Sequence, residues 1–318
     1  MSKTSNQPRI LFVTPEVSIV PASSGKDSDY LNYNSGGLAG FLFNLVGDLY
    51  ERGADVHITQ PDYRSNFSVI LQNSPHIKGH RLPNSRVHLT EDRAFFYAKG
   101  PESNYKWENI KISLAFQREV INHILPLVQP DLIHCHNWMT GLIPAMARVS
   151  GIPCIFTVQS FDTAKSLLSD IEDTGIDAAG FWQHLFCDRF PANYEETRET
   201  NPIDFLISGI FAARFVNVAK PALLSEMGKD RNSYVKLLSQ ILFHKLRTGS
   251  ADVHRIAAVD PQQYIDLYEK MLQRPIINKD RKMVPFIGDF PDGSQSANRA
   301  YKTEKRTSDP NISAIIFE

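Results

Sequence analysis

The densest stretch of chemistry in the chain is DLIHCHNWMTGLIPA, residues 131–145, where two histidines flank a cysteine and Asn-Trp opens a helical segment. In extended backbone His134 and His136 share one face and Cys135 takes the other. Two imidazoles at that spacing can chelate zinc, but a structural site takes four ligands and a catalytic one three. No CxxC, HExxH or nearby carboxylate cluster completes the set, so neither a metal nor a cofactor is expected. Cys135 precedes a helix start, a setting that lowers a thiol pKa, yet Cys135, Cys154 and Cys187 all lie in apolar surroundings. They read as buried, inert free thiols of a reducing cytoplasm. No Ser-His-Asp or Cys-His arrangement stands out. The better reading is positional. His136 and Asn137 close one apolar run, and Gln159 and Ser160 close the next, PCIFTVQ. In open α/β sheets, ligands bind outside the carboxyl ends of strands. A second candidate is SGGLAG, residues 35–40, where Gly36 and Gly37 open a helix. Glycines there let backbone N–H groups approach an anion at the helix start; a flexible loop leading into a glycine-rich helix is the alternative.

The surrounding pattern supplies the elements that must position these groups. RILFVTPE reads as a buried parallel strand. Leu38, Phe41, Leu42, Leu45 and Leu49 fall at helical spacing, with Gly53 at the stop and DVHITQP as the next strand. FSVILQ, RVHLT and RAFFYA read as short strands. SLAFQREVINHILPLVQ reads as a helix leading into DLIHCH; a helix over about 138–150, the strand PCIFTVQ, the helix IDFLISGIFAARF, the strand FVNVAK and the helix PALLSEM follow. Strand-helix alternation implies a Rossmann-like, doubly wound α/β domain with a parallel sheet over 9–228, after a tail of residues 1–8. Residues 229–275 read as a helical C-terminal extension, with Val235, Leu238, Ile241 and Leu242 on one helix face. Tyr264, Leu267, Tyr268 and Met271 form the stripe of a second helix, capped by Asp260 and Pro261. Residues 276–318 turn polar and read as a mostly disordered tail.

Composition narrows the function classes. Over 318 residues, hydrophobic content is 42% and formal net charge is -1, so no electrostatic footprint for nucleic acid or a membrane surface is present. No apolar run approaches the ~20 residues needed to span a bilayer. The N-terminus lacks an apolar leader, and a cytoplasmic protein is expected.

The ordered series ILFVTPEVS, GGLAG, ERGADVHITQPDYR, DLIHCHNWMTGLIPAMAR and GIPCIFTV resembles bacterial glycogen synthase and plant starch synthase, retaining glycosyltransferases of the two-Rossmann-domain GT-B fold. IDFLISGIFAARFVNVAKPALLSEM resembles the helix and strand that close that family's N-terminal domain, and YIDLYEKMLQRP resembles its C-terminal crossover helix. The resemblance implies glycogen biosynthesis, with ADP-glucose as donor and an α-1,4-glucan as acceptor. It implies substrate-binding positions at Asn34, Gly36, Gly37, His136, Asn137 and Gln159; no residue of this chain is read as catalytic. Three positions depart from the family. Asn34 stands where the family's Lys-x-Gly-Gly-Leu has lysine. His-Asp-Trp becomes His136-Asn137-Trp138, and Thr-x-His becomes Thr157-Val158-Gln159. Only 90 residues follow Gly228 (229–318), whereas the family's second domain needs upwards of ~150.

These departures set the expectations: a truncated homologue, degenerate or inactive on its own, that binds an α-glucan or a full-length synthase. The competing readings are a non-catalytic regulatory protein that holds glucan or synthase, and an unrelated nucleotide-binding Rossmann protein.

Overall fold

The computed structural model describes residues 7–16, 19–21, 30–32, 37–63, 82–96, 98, 106–218, 233–248, 252–254 and 260–277. Seven of its strands form one sheet: β1 (Arg9–Val13), β2 (Asp55–Pro61), β3 (Val87–Thr90), β4 (Leu132–His136), β5 (Cys154–Val158), β6 (Phe215–Val218) and β7 (Asp252–His254). Every pairing is parallel, and the order across the sheet is β7-β6-β5-β4-β1-β2-β3. That is the doubly wound order, and its direction reverses between β1 and β4. The central strands are apolar because both faces are covered; β2, β4, β5 and β6 are buried throughout.

One face carries α1 (Gly37–Glu51) and α6 (Pro261–Leu272), packed on Ile10, Phe12, Val56, Ile58, Leu132 and Ile155. The other carries α2 (Lys106–Glu119), α3 (Ile143–Val149), α4 (Phe205–Ala212) and α5 (Ser233–Thr248), packed on Leu11, Val13, Ile133, Cys135, Phe156 and Val216. Gly53, at φ 89°, ends α1 in the left-handed region that favours glycine. α2 runs on through a π-helical turn, Val120–Ile124, into Leu125–Val128. Pro126 supplies the reason: it has no N–H for the ladder, and just before it Leu125 N–H reaches back five residues to the Val120 carbonyl. α5 is anchored by Lys245, whose buried Nζ donates to the carbonyls of Ile210 (2.6 Å) and Ala213 (2.9 Å) at the end of α4. Among the described residues no helix is long and apolar enough to cross a membrane.

Two sequence expectations need amending. RAFFYA is helical at Arg93–Phe96, because the Asp92 carboxylate accepts the Ala94 N–H (2.7 Å) and the Asp92 carbonyl accepts that of Phe95 (3.0 Å). The local cap overrides the aromatic β-propensity. DVH, residues 252–254, joins β6 as an edge strand inside a segment read only as helical. FSVILQ and PALLSEM lie outside the described residues, as do the N-terminal tail to residue 6 and residues 278–318.

α6 is part of the core. Asp260 caps it, accepting the Gln262 N–H at 3.1 Å, and Tyr264, Ile265, Leu267, Tyr268 and Met271 are all buried. Its far end is tied down by Arg274 against Asp131 (2.6 Å) and by an antiparallel bridge from Ile277 to Ala54. Burying side chains of this size stabilises by ~1.5–3 kcal/mol each as an upper estimate. Truncation after Thr248 is therefore expected to lower the melting temperature by more than ~10 °C; an unchanged melting curve would contradict this packing.

The sheet also buries polar clusters. Beneath α2, Asp55 takes Arg9 (3.2 Å) and Arg86, and Arg86 donates to His57 Nε2 at 2.5 Å. Arginine cannot accept, so His57 carries its proton on Nδ1 and gives it to His88 Nε2 at 2.8 Å. Burial pushes both rings down to about 4, with Arg9 adding to it at His57, and His57, Arg86 and Arg9 adding to it at His88. On the opposite face burial pushes His136 to about 3 and His134 well below its usual value. Unfolded histidines protonate near 6.5. Between that pH and about 4 the unfolded chain therefore binds protons the fold refuses, and stability falls as pH falls through this window. Denaturant melts at pH 7, 5.5 and 4.5 should show that decline; a flat profile would contradict the neutral, buried histidines.

Candidate functional site

The reversal in strand order places the candidate site at the carboxyl ends of β1, β4 and β5. β4 ends at His136, and Asn137 follows at φ 71°, ψ 156°. Backbone in that region is costly for any residue but glycine, on the order of 1–3 kcal/mol. Local bonds hold it there. The Asn137 side chain accepts the Met139 N–H (3.4 Å), and Thr140 Oγ1 donates to the carbonyls of Asn137 (2.9 Å) and His136 (3.1 Å). Gly141 follows because the start of α4 runs against it: a Cβ there would lie 1.9 Å from the Phe205 carbonyl oxygen. Trp138 packs on the Phe205 ring beside it, at 6.2 Å.

His136 is buried under this turn with rings on three sides: His134 at 4.1 Å, Phe12 at 6.2 Å and Phe41 at 6.4 Å. Neither of its ring nitrogens has a hydrogen-bond partner among the described residues. Two residues deeper along the strands the polar side chains are bonded to one another, with only Asn217 Oδ1 left without a partner among the described residues. His134 Nδ1 meets Tyr268 Oη at 2.7 Å, and His134 Nε2 meets Thr157 Oγ1 at 2.7 Å. Asn217 Nδ2 donates to Thr157 Oγ1 (3.2 Å) and to Tyr264 Oη (2.9 Å). All five side chains are completely buried.

β5 delivers Gln159 and Ser160, both half-exposed, beside Asn137, whose N–H donates to the Thr157 carbonyl at 3.3 Å. α1 ends near the start of β2, and its 15 residues rise about 22 Å. Its first residue, Gly37, therefore lies at the carboxyl edge. From β1, Thr14 is buried and accepts the Glu16 N–H at 3.2 Å. α4 begins at the same edge, where Asp204 Oδ1 accepts from Ile207 N–H and Thr163 Oγ1, each at 2.9 Å. Burial raises the pKa of this carboxyl.

The electrostatics of this rim are plain. The first described residues beyond β1, β4 and β5, 14–16, 137–142 and 159–163, contain no lysine or arginine. Their ionisable groups are Glu16 and Asp162, next to a neutral His136. Among the described residues no three His, Cys, Asp or Glu come together as a metal would require. Cys135 and Cys154 lie 3.8 Å apart, Sγ to Sγ, on the far face, where burial pushes the Cys135 thiol far up.

The structure thus gathers His136, Asn137 and Gln159 on adjoining strand ends, with Gly37 above the same edge; Asn34 and Gly36 lie outside the described residues. Sequence reasoning missed the layer beneath, formed by His134, Thr157, Asn217, Tyr264 and Tyr268. Its traces were present: Thr and Asn inside the apolar strands CIFTV and FVNV, and two tyrosines four apart on a buried helix stripe.

Comparison with known proteins fits this geometry. A family profile described as the starch synthase catalytic domain matches residues 9–240. Glycogen synthase 2 of Geobacter sulfurreducens is 32% identical over 136 residues, 36% of this chain and 28% of that protein. Glycogen synthase of Cellvibrio japonicus is 24% identical over 253 residues, 71% of this chain and 48% of that one. This chain thus spans half or less of the length of these relatives. The catalytic domain of Starch Synthase IV from Arabidopsis thaliana, solved with ADP and acarbose, shares the fold at a TM-score of 0.51 and 15% identity. That match covers 81% of this chain and 53% of that one. With the profile matching 9–240, well over half of its 318 residues, the chain belongs to the starch synthase catalytic-domain family.

Proposed function

We propose that this chain holds the end of an α-glucan at its carboxyl edge and does not by itself transfer glucose from ADP-glucose. One observation carries the reading: in the described residues 14–16, 137–142 and 159–163 the rim is neutral to acidic, with amides at Asn137 and Gln159 and no lysine or arginine. Each amide offers both donors and acceptors, the complement of a sugar hydroxyl. A diphosphate instead needs cationic donors or several aligned N–H groups. The resemblance puts an aspartate and a histidine where Asn137 and Gln159 stand, so the charge and the titratable ring that would act on the transferring glucose are replaced by amides. Removing a single transition-state donor typically lowers turnover ~10²–10³-fold. The strained backbone at Asn137 supports a ligand site as well, since such conformations persist where the surroundings impose them and concentrate at binding and catalytic positions.

The test pairs two assays on the purified chain. Co-sedimentation with glycogen should retain the protein, and radiolabelled ADP-glucose should leave no label on the glycogen. Asn137→Gly should weaken glycogen retention while leaving the fold ~1 kcal/mol more stable, because glycine relieves the strain at a smaller entropic cost. Label transferred by this chain alone, or glycogen retention unaffected by both Asn137→Gly and Gln159→Ala, would overturn the proposal.

A further inference from the structure

The two tyrosines of α6 reach a place that simple packing does not require. Tyr264 and Tyr268 lie one turn apart and bring their hydroxyls to the middle of the sheet, on three neighbouring strands. Tyr268 meets His134 of β4 at 2.7 Å, and Tyr264 accepts from Asn217 of β6 at 2.9 Å. Thr157 of β5 joins the two halves, 2.7 Å from His134 and 3.2 Å from Asn217. Phenylalanine would fill the same space, so the hydroxyls answer to the polar groups of the strands and not to volume.

Each strand residue in this chain of bonds sits just below the rim. His134 is two residues before His136, and their rings lie 4.1 Å apart. Thr157 is two residues before Gln159, and its carbonyl accepts the Asn137 N–H at 3.3 Å. Tyr264 also meets Phe41 of α1 edge-on at 6.0 Å, and Phe41 in turn packs on His136. A displacement of α6 is therefore passed to the ends of β4 and β5 through side chains with no water to exchange with.

We infer that α6 is a positioning element for the carboxyl-edge site, with Tyr264 and Tyr268 as positioning residues that set His136, Asn137 and Gln159 through His134, Thr157 and Asn217. This rests on the reading of that edge as the ligand site and adds to it that the C-terminal helix governs its geometry. A tyrosine hydroxyl lost from the helix leaves one buried imidazole nitrogen or one amide N–H without its partner, and the strand ends relax to find another.

Amide hydrogen exchange on the full chain tests this without ligand, so its outcome is independent of saccharide binding. Tyr268→Phe removes one oxygen and keeps the ring. Met271→Ala, on the same buried stripe, weakens the packing of the helix and leaves every hydroxyl, imidazole and amide of the bonded chain in place. Tyr268→Phe should raise exchange at least tenfold at residues 136–140 and 157–161 while β2 and β3 stay protected. Met271→Ala should loosen α6 without singling out those two segments. Tyr264→Phe, which acts through Asn217, should give the same pattern as Tyr268→Phe and serves in its place if that variant does not fold. Matching exchange maps for the tyrosine and methionine variants, or protected rim segments in Tyr268→Phe, would overturn the inference.

Discussion

His134, in the middle of the parallel sheet, has both ring nitrogens met, and the docking of the C-terminal helix supplies one of the two partners. His134 is sealed from water, and its ring nitrogens are met by Thr157 on the next strand and by Tyr268 from a helix 134 positions away in sequence. A buried imidazole left unpaired costs about 1–3 kcal/mol. Unless α6 docks, β4 and β5 carry that cost at the centre of the sheet. The return of the chain to the sheet through α6 is therefore a polar requirement as much as an apolar one. Arg274 on Asp131 and the Ala54–Ile277 bridge then hold the end of the helix against the amino edge.

The carboxyl edge inherits its character from that layer. His134 is paired, while His136, directly above it, is buried and has no partner among the described residues. Asn137 then leaves the strand through a conformation that suits glycine better than asparagine, over a turn closed by Thr140 and made possible by Gly141. A polar ring without a partner and a strained amide at one strand end are features that folding alone does not favour. With no lysine or arginine in residues 14–16, 137–142 and 159–163, they suit an uncharged, hydroxyl-rich ligand better than a nucleotide diphosphate.

Much of this was legible in the sequence because the relevant signals are local. The strands around Phe12, Cys135 and Phe156 are short apolar runs, and period two alone placed His134 and His136 on one face opposite Cys135. The stripe of Tyr264 and Tyr268 showed in helical spacing, and the order of motifs carried the family resemblance. Features set by long-range contact were not legible. Nothing near Asn217 announces a tyrosine 47 positions on as its partner, and nothing near Thr157 announces Asn217, 60 positions on. β7 has three residues and exists only because β6 offers an edge. Arg93–Phe96 looked extended by residue type and became helical through one carboxylate, that of Asp92. The glycine-loop positions Asn34 and Gly36 lie outside the described residues.

The central claim is that an uncharged glucan end sits over His136, Asn137 and Gln159. It is tested most directly by nuclear magnetic resonance of the histidine ring nitrogens and backbone amides during titration with maltoheptaose. The account predicts saturable shifts of the His136 ring and of the Asn137 and Gln159 amides, with the His57 and His88 rings on the opposite face unmoved, and no comparable response to ADP. Shifts at Asn137 and Gln159 with ADP but not with maltoheptaose would contradict it.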